Sequence, residues 1–245
     1  RIYRTRAEMG ASAGTAAGEK LKELLALQDE VNVIFAAAPS QNEMLETLTS
    51  FPGIDWMRVN GFHMDEYIGL DADAPQGFGN FLRERIFEKL PFKNVYYLNG
   101  NAEDLDTECV RYGKLLEEHP VDMVCMGIGE NGHIAFNEPG DDFGLETHVV
   151  DLTESTIEAN KRFFESRDEV PRHALSMGIK NIMNARRILM VVSGEEKADI
   201  VCKAFMGPVT KEVPASVLQL HPDVTLVGDK AALHKLVEAG VTVCG

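Results

Sequence analysis

Val121-Asp122-Met123-Val124-Cys125-Met126 runs directly into Gly127-Ile128-Gly129-Glu130-Asn131-Gly132-His133-Ile134-Ala135-Phe136-Asn137-Glu138-Pro139-Gly140. A short apolar run that ends in a glycine-bearing loop of polar residues is the pattern of a buried parallel strand followed by a ligand-facing turn. Working outward, residues 31–36, 56–61, 95–98, 187–193 and 224–227 read as further buried strands beside 121–126. Segments 20–27, 43–48, 81–90, 103–118, 195–205 and 230–239 carry apolar residues at helical spacing. Strand and helix alternate along the whole chain, which predicts an α/β fold with a mostly parallel sheet and helices on both faces. In such sheets ligands bind beyond the carboxyl ends of the strands, so the residues just after each strand are the functional candidates.

The composition narrows what those candidates can do. At 245 residues and 44% hydrophobic content, the chain is expected to form one domain, 1–245, with a substantial core. Its 39 acidic and 24 basic residues leave a formal charge of −15, a surface that repels nucleic acid and anionic membranes. An anionic small molecule would then need a few cations and backbone N–H groups gathered at one spot. Cys109, Cys125, Cys202 and Cys244 form no CxxC pair and suit buried free thiols in a reducing compartment. No apolar stretch approaches the roughly 20 residues of a membrane span, and Arg1-Ile2-Tyr3-Arg4 starts no signal-peptide apolar region. A cytoplasmic location is expected, and the missing initiator Met suggests a trimmed chain. No HxxxH, HExxH or grouped Cys/His spacing occurs, so no metal site is expected.

Three strand-end segments and two cations stand out. Ser40, with Glu43 three residues on, reads as a capping box opening a helix, whose N-terminus suits a phosphate; an ordinary N-cap is the plainer alternative. Asp65 and Glu66 follow the second strand, and a carboxylate desolvated beside Phe62, Met64 and Tyr67 has the raised proton affinity of a general base; a rim of solvated acids is the alternative. After the fourth strand, Gly127, Gly129 and Gly132 let the backbone approach a ligand, while Asn131, His133 and Glu138 supply an amide, an imidazole and a carboxylate within eight residues. Lys197, in the first turn of a helix where the dipole disfavours a cation, and Arg162 are the basic groups best placed to meet an anion.

Together these segments resemble the glucosamine-6-phosphate deaminase family. The resemblance rests on Met64-Asp65-Glu66-Tyr67 with Gly69-Leu70, Asn99-Gly100-Asn101-Ala102, the 127–140 loop, Ala159-Asn160 with Arg162-Phe163-Phe164, Ala174-Leu175-Ser176-Met177-Gly178, and Leu218-Gln219-Leu220-His221, in this order along nearly the whole chain. It implies a Rossmann-like doubly wound domain and a cofactor-free conversion of glucosamine 6-phosphate to fructose 6-phosphate and ammonia. His133 would carry a proton between the ring oxygen and the C1 hydroxyl, oriented by Glu138 and Asn131. Asp65 would move the C2 proton to C1. Ser40, Arg162 and Lys197 would hold the phosphate, with Glu66, Gly127 and Gly129 lining the sugar site. The partner is a sugar phosphate; a homo-oligomer is compatible with the sequence. Another hexose phosphate, such as galactosamine 6-phosphate, and a sugar-phosphate sensor of weak activity are the alternatives.

The chain also departs from the family pattern. The usual Thr-Gly-Gly-Ser/Thr-Pro loop is replaced by Ala37-Ala38-Pro39-Ser40, which keeps the hydroxyl and loses both glycines, so a differently shaped cradle is expected. Asn131 stands where many members have Asp, and a family Ser is absent from Gln76-Gly77-Phe78-Gly79-Asn80. The positions that bind an effector phosphate in regulated members match Asp141, Asp142, His148 and Val150, which suit no anion. No activation of that kind is expected.

Overall fold

The computed structural model describes residues 1–242; Cys244 lies outside them. Seven strands form the main sheet: β1 (Ile2–Tyr3), β2 (Val31–Phe35), β3 (Val59–His63), β5 (Asn94–Tyr96), β6 (Met123–Met126), β9 (Ile188–Val192) and β10 (Val224–Asp229). Three more, β4 (Asp65–Tyr67), β7 (His148–Asp151) and β8 (His173–Ser176), form a smaller sheet. The helices are α1 (Arg6–Leu27), α2 (Asn42–Thr49), α3 (Phe78–Leu82), α4 (Leu105–Glu118), α5 (Glu154–Asn160), α6 (Ile179–Met183), α7 (Ala198–Met206) and α8 (Lys230–Glu238).

The main sheet runs β1-β10-β9-β6-β2-β3-β5 with every neighbouring pair parallel. From β2 the chain builds outward through β3 and β5, then returns to the other side of β2 with β6 and builds away through β9 and β10. The winding direction therefore reverses between β2 and β6. Loops leaving those two strands diverge to opposite faces and open a crevice at their carboxyl ends. The fold is a doubly wound α/β sheet, as the alternation of segments predicts.

Alternation along each buried strand builds the two cores. Val31, Val33 and Phe35 face Met9, Ala13, Ala17 and Leu21 of α1 and Met44, Leu45 and Leu48 of α2. Ile34, with Val124, Met126 and Met190, joins the opposite cluster, closed by Tyr112 of α4, Val201 of α7 and Leu233 of α8. With neither face left to solvent, the strands read as unbroken apolar runs.

Several boundaries move. The segment read as a strand from residue 56 begins with a 3-10 turn, Trp56–Arg58, because the Asp55 side chain accepts the Met57 N–H and caps it. The helix expected over 20–27 starts at Arg6, with a capping box of Thr5 and Glu8. Its first half buries small residues where a helix usually shows large apolar ones, which blurs the amphipathic pattern, yet its glycines let α2 approach: a Cβ on Gly10 would lie 2.2 Å from Glu43 Cβ, and one on Gly14 would lie 2.5 Å from Thr47 Cβ. The helix expected over 81–90 is α3 followed by a π turn, Arg83–Phe87. The small sheet, order β4-β8-β7 and antiparallel, is absent from the sequence reading; it sets Asp65 opposite Ser176. No helix among the described residues is long and apolar enough to cross a membrane.

Candidate active site

The candidates gather where the topology points. Ser40 follows β2, Asp65 follows β3, Gly127 and Gly129 follow β6, and Lys197 follows β9. Ser40 and Gly127 face each other across the switch point: a Cβ on Gly127 would lie 3.1 Å from Ser40 Oγ.

His133 is held by a hydrogen-bond network that settles its tautomer. The backbone N–H of His133 donates to Asn131 Oδ1 at 3.1 Å, so the amide oxygen points toward the histidine. The same Oδ1 lies 2.8 Å from His133 Nδ1, which must then carry the ring proton; Nε2 keeps its lone pair. Asn131 Nδ2 turns the other way and donates to Glu138 Oε2 at 2.8 Å. Asn131 thus touches the imidazole directly, and Glu138, 3.9 Å from Nδ1, reaches it through Asn131. Burial pulls the imidazole below its ordinary pKa, with Glu138 opposing and Lys197 adding to the shift.

Hydroxyls that the sequence reading passed over complete this network. Thr153 Oγ1 donates to Glu138 Oε2 at 3.0 Å and also accepts the Thr156 N–H as the N-cap of α5. Asn131 Nδ2 has Ser155 Oγ at 3.1 Å and Thr156 Oγ1 at 3.4 Å. The visible signal was Thr153-Glu154-Ser155-Thr156, a helix-start pattern; that it faces the 127–140 loop is a tertiary fact. Gly129 has a packing reason to lack a side chain, since the His133 ring lies over it: a Cβ there would sit 2.2 Å from Cε1. Gly132, at φ +90°, is a backbone conformation that only glycine takes freely.

Asp65 and Glu66 point to different fates on β4. Asp65 is buried, and burial, helped by the charge of Glu66, pushes its carboxyl well above the ordinary carboxylate range. Glu66 accepts the N–H groups of Tyr67 at 2.9 Å, Phe78 at 3.0 Å and Gly79 at 2.8 Å, so its carboxylate ties β4 to the start of α3. Behind it His63 is fully buried, with Nδ1 accepting the Leu98 N–H at 3.2 Å; burial holds its pKa at about 3, a neutral ring. Tyr67, on the same side of β4 as Asp65, packs on Phe78, Phe136 and Phe164, and its hydroxyl accepts from Asn160 at 2.8 Å. Asn160 immediately precedes the turn carrying Arg162.

The phosphate candidates are less uniform. The capping box expected of Ser40 and Glu43 does not form. Pro39–Gln41 is a 3-10 turn, α2 starts at Asn42 with no side-chain cap, and Glu43 instead pairs with Arg6 at 2.7 Å. Pro39 at the first position favours the tighter turn and moves Ser40 off the cap. Arg6 also donates to the Pro39 carbonyl, and Ser40 Oγ accepts from Gln41 Nε2 at 3.0 Å. Lys197 precedes α7 at the end of a 3-10 turn, Glu195–Lys197; its Nζ donates to the Ile128 carbonyl at 2.9 Å, and burial lowers its pKa. Arg162 is exposed, stacks on Phe163 and lies 4.0 Å from Glu130 Oε1. No group of three His, Cys, Asp or Glu residues among the described residues could hold a metal ion.

An oriented histidine and a buried carboxylate thus lie at the switch-point end of a doubly wound sheet. A family profile described as glucosamine-6-phosphate isomerases/6-phosphogluconolactonase matches residues 4–227. The chain belongs to this family. A glucosamine-6-phosphate deaminase of Lactobacillus johnsonii is 46% identical over 223 residues, 91% of this chain and 92% of that protein. One from Listeria monocytogenes is 47% identical over 207 residues, covering 84% and 88%. Among solved structures, a monomeric glucosamine-6-phosphate deaminase superposes with a TM-score of 0.90 at 34% identity, covering 96% of this chain and 98% of that one. A 6-phosphogluconolactonase from Shewanella baltica gives 0.76 at 16% identity, covering 94% and 96%, and shares the fold alone.

Proposed function

We propose that the chain is a glucosamine-6-phosphate deaminase, converting glucosamine 6-phosphate and water to fructose 6-phosphate and ammonia. The observation that carries this reading is the pairing of two proton-handling groups at one sheet end: a histidine with its Nε2 lone pair free and a buried carboxylate on β4. Close deaminase relatives over most of the chain support the same reading. Hydrolysis of a lactone needs one base to activate water and leaves the buried Asp65 without a task.

The chemistry follows from those two groups. His133 Nε2 takes the C1 hydroxyl proton of the ring form and returns a proton to the ring oxygen, opening the sugar to its aldehyde. Asn131 fixes the ring so that the proton on Nδ1 stays in place, and the Glu138 carboxylate behind it steadies the transient imidazolium. Asp65 removes the C2 proton, acidified by the aldehyde, and delivers it to C1. The resulting C2 imine is hydrolysed by water to the ketone and ammonia. A desolvated carboxylate is a stronger base once ionised, and the cationic amine of the substrate favours its ionised form. Lys197, Ser40 and Arg162 hold the phosphate, the Lys197 ammonium exchanging its contact with Ile128 O for a charge-assisted one.

Every group invoked comes from one chain, and a solved relative is described as monomeric. Buried thiols at Cys109 and Cys125 fit the same proposal's cytoplasmic setting. The reading is tested by ammonia release from glucosamine 6-phosphate, measured beside galactosamine 6-phosphate. Activity falls by roughly 10² or more in Asp65→Asn and His133→Gln variants that remain folded. Unchanged ammonia release in both would remove the assignment.

A further inference from the structure

Gln41 is fully buried at the floor of the crevice, between the Ser40 turn and the end of β9. Its Nε2 lies 3.0 Å from Ser40 Oγ and 3.4 Å from the Val191 carbonyl oxygen. A carbonyl only accepts, so the amide is turned with its nitrogen toward both atoms, and it donates to Ser40. A serine hydroxyl has one proton and two lone pairs. Receiving an N–H uses a lone pair and leaves the proton unspent; among the described residues it has no acceptor. Ser40 Oγ, Gln41 Nε2 and Val191 O all converge on Gly127, where a Cβ would lie 3.1, 3.5 and 3.6 Å from them.

We propose that Gln41 is a positioning residue for anion binding: by donating to Ser40 Oγ it holds that hydroxyl as a donor toward the substrate's phosphate. This rests on the reading of Ser40 as a phosphate contact. The loop 37–40 holds Pro39, which has no N–H, in a 3-10 turn, so a side-chain donor carries more of the recognition than it would in a glycine-built cradle. Ionised phosphate oxygens accept and do not donate, which makes the direction of the Ser40 bond decisive. A neighbour that accepted from Ser40 would compete with the phosphate; one that donates does not. The Arg6 bond to Pro39 O and the Gln41 bond to Val191 O pin the turn from both sides.

The test is a double-mutant cycle on the intact chain, read by calorimetry with inorganic phosphate and by steady-state kinetics. Ser40→Ala weakens phosphate binding by about tenfold. Gln41→Met, matched in volume, weakens it by about fivefold and raises KM with kcat nearly unchanged. Gln41→Leu also removes the amide donor and weakens phosphate binding by a similar factor; it carries the test if the methionine variant does not fold. In the Ser40→Ala background Gln41→Met adds nothing. An additional fivefold loss in that background, or parental phosphate affinity in both Gln41 variants, overturns the proposal. Parental affinity in Ser40→Ala overturns the phosphate contact beneath it. Phosphate binding is read without turnover, so an inactive chain would refute the deaminase reading separately.

Discussion

Replacing Gly129 with alanine tests the site through a single methyl group. The added Cβ would lie 2.2 Å from His133 Cε1, 2.3 Å from Nε2 and 2.4 Å from Nδ1. Carbon contacts settle at about 3.5 Å, so the imidazole must retreat by a little over ~1 Å. That movement pulls Nδ1 out of its 2.8 Å contact with Asn131 Oδ1, since the asparagine is itself held by Glu138 at 2.8 Å and cannot follow freely. A displacement of ~1 Å at a reacting group costs about 10²-fold in rate. The lost hydrogen bond costs about 1 kcal/mol of stability, or a melting temperature lower by about 2–4 °C for a chain of this size. Neither Ser40 nor Lys197 is hydrogen-bonded to the ring, so the loss falls mainly on kcat and less on KM. Ammonia release gives both constants, and nitrogen NMR of the imidazole reports the tautomer. A Gly129→Ala enzyme with kcat within about threefold of the parent and the proton still on Nδ1 would refute the placement of His133.

Other outcomes follow from the buried charges. Because burial raises the folded pKa of Asp65, the folded chain holds a proton that the unfolded chain has released; stability therefore falls as pH rises from the ordinary value of 3.8 through the raised one. Asp65→Asn should flatten that slope in thermal melts and raise the melting temperature at neutral pH while abolishing turnover. Lys197→Met should raise KM by about tenfold. It should also move the acid limb of the kcat/KM profile to higher pH, since Lys197 helps depress the His133 pKa and the ring must be neutral to accept a proton. Adding N-acetylglucosamine 6-phosphate should leave the rate curve's shape unchanged: Asp142 is paired with Lys211 at 2.7 Å and Val150 is buried. A sigmoidal curve turned hyperbolic by the effector would contradict this.

The central sheet was legible because its strands are buried on both faces, and continuous apolar runs such as Val31–Phe35 survive any choice of partner. The loop 127–140 was legible because its spacing confines Asn131, His133 and Glu138 to one turn of chain. The small antiparallel sheet was not: β4 has three residues and β8 four, and their pairing depends on segments more than 100 residues apart. The hydroxyls of Thr153, Ser155 and Thr156 carry an ordinary helix-start signal, and only the fold aims them at Asn131. Ser40 and Glu43 matched a capping box by spacing alone; Pro39 tightened the turn and Arg6, from α1, claimed the glutamate. Glu66 also accepts the N–H of Tyr67 on β4 and those of Phe78 and Gly79 at the start of α3, an anchoring that the sequence around Asp65 does not display.

The seam between α1 and α2 has a practical side. Gly10 and Gly14 let the two helices close on each other, and Arg6, in the first turn of α1, grips the backbone of Pro39 just ahead of Ser40. The first turn of α1 is therefore a brace for the turn, some 30 residues later, that carries the candidate phosphate contact Ser40. An affinity tag threaded against Arg6, or a trimming that removes the first turn of α1, should register as weaker substrate affinity long before it registers as lost solubility.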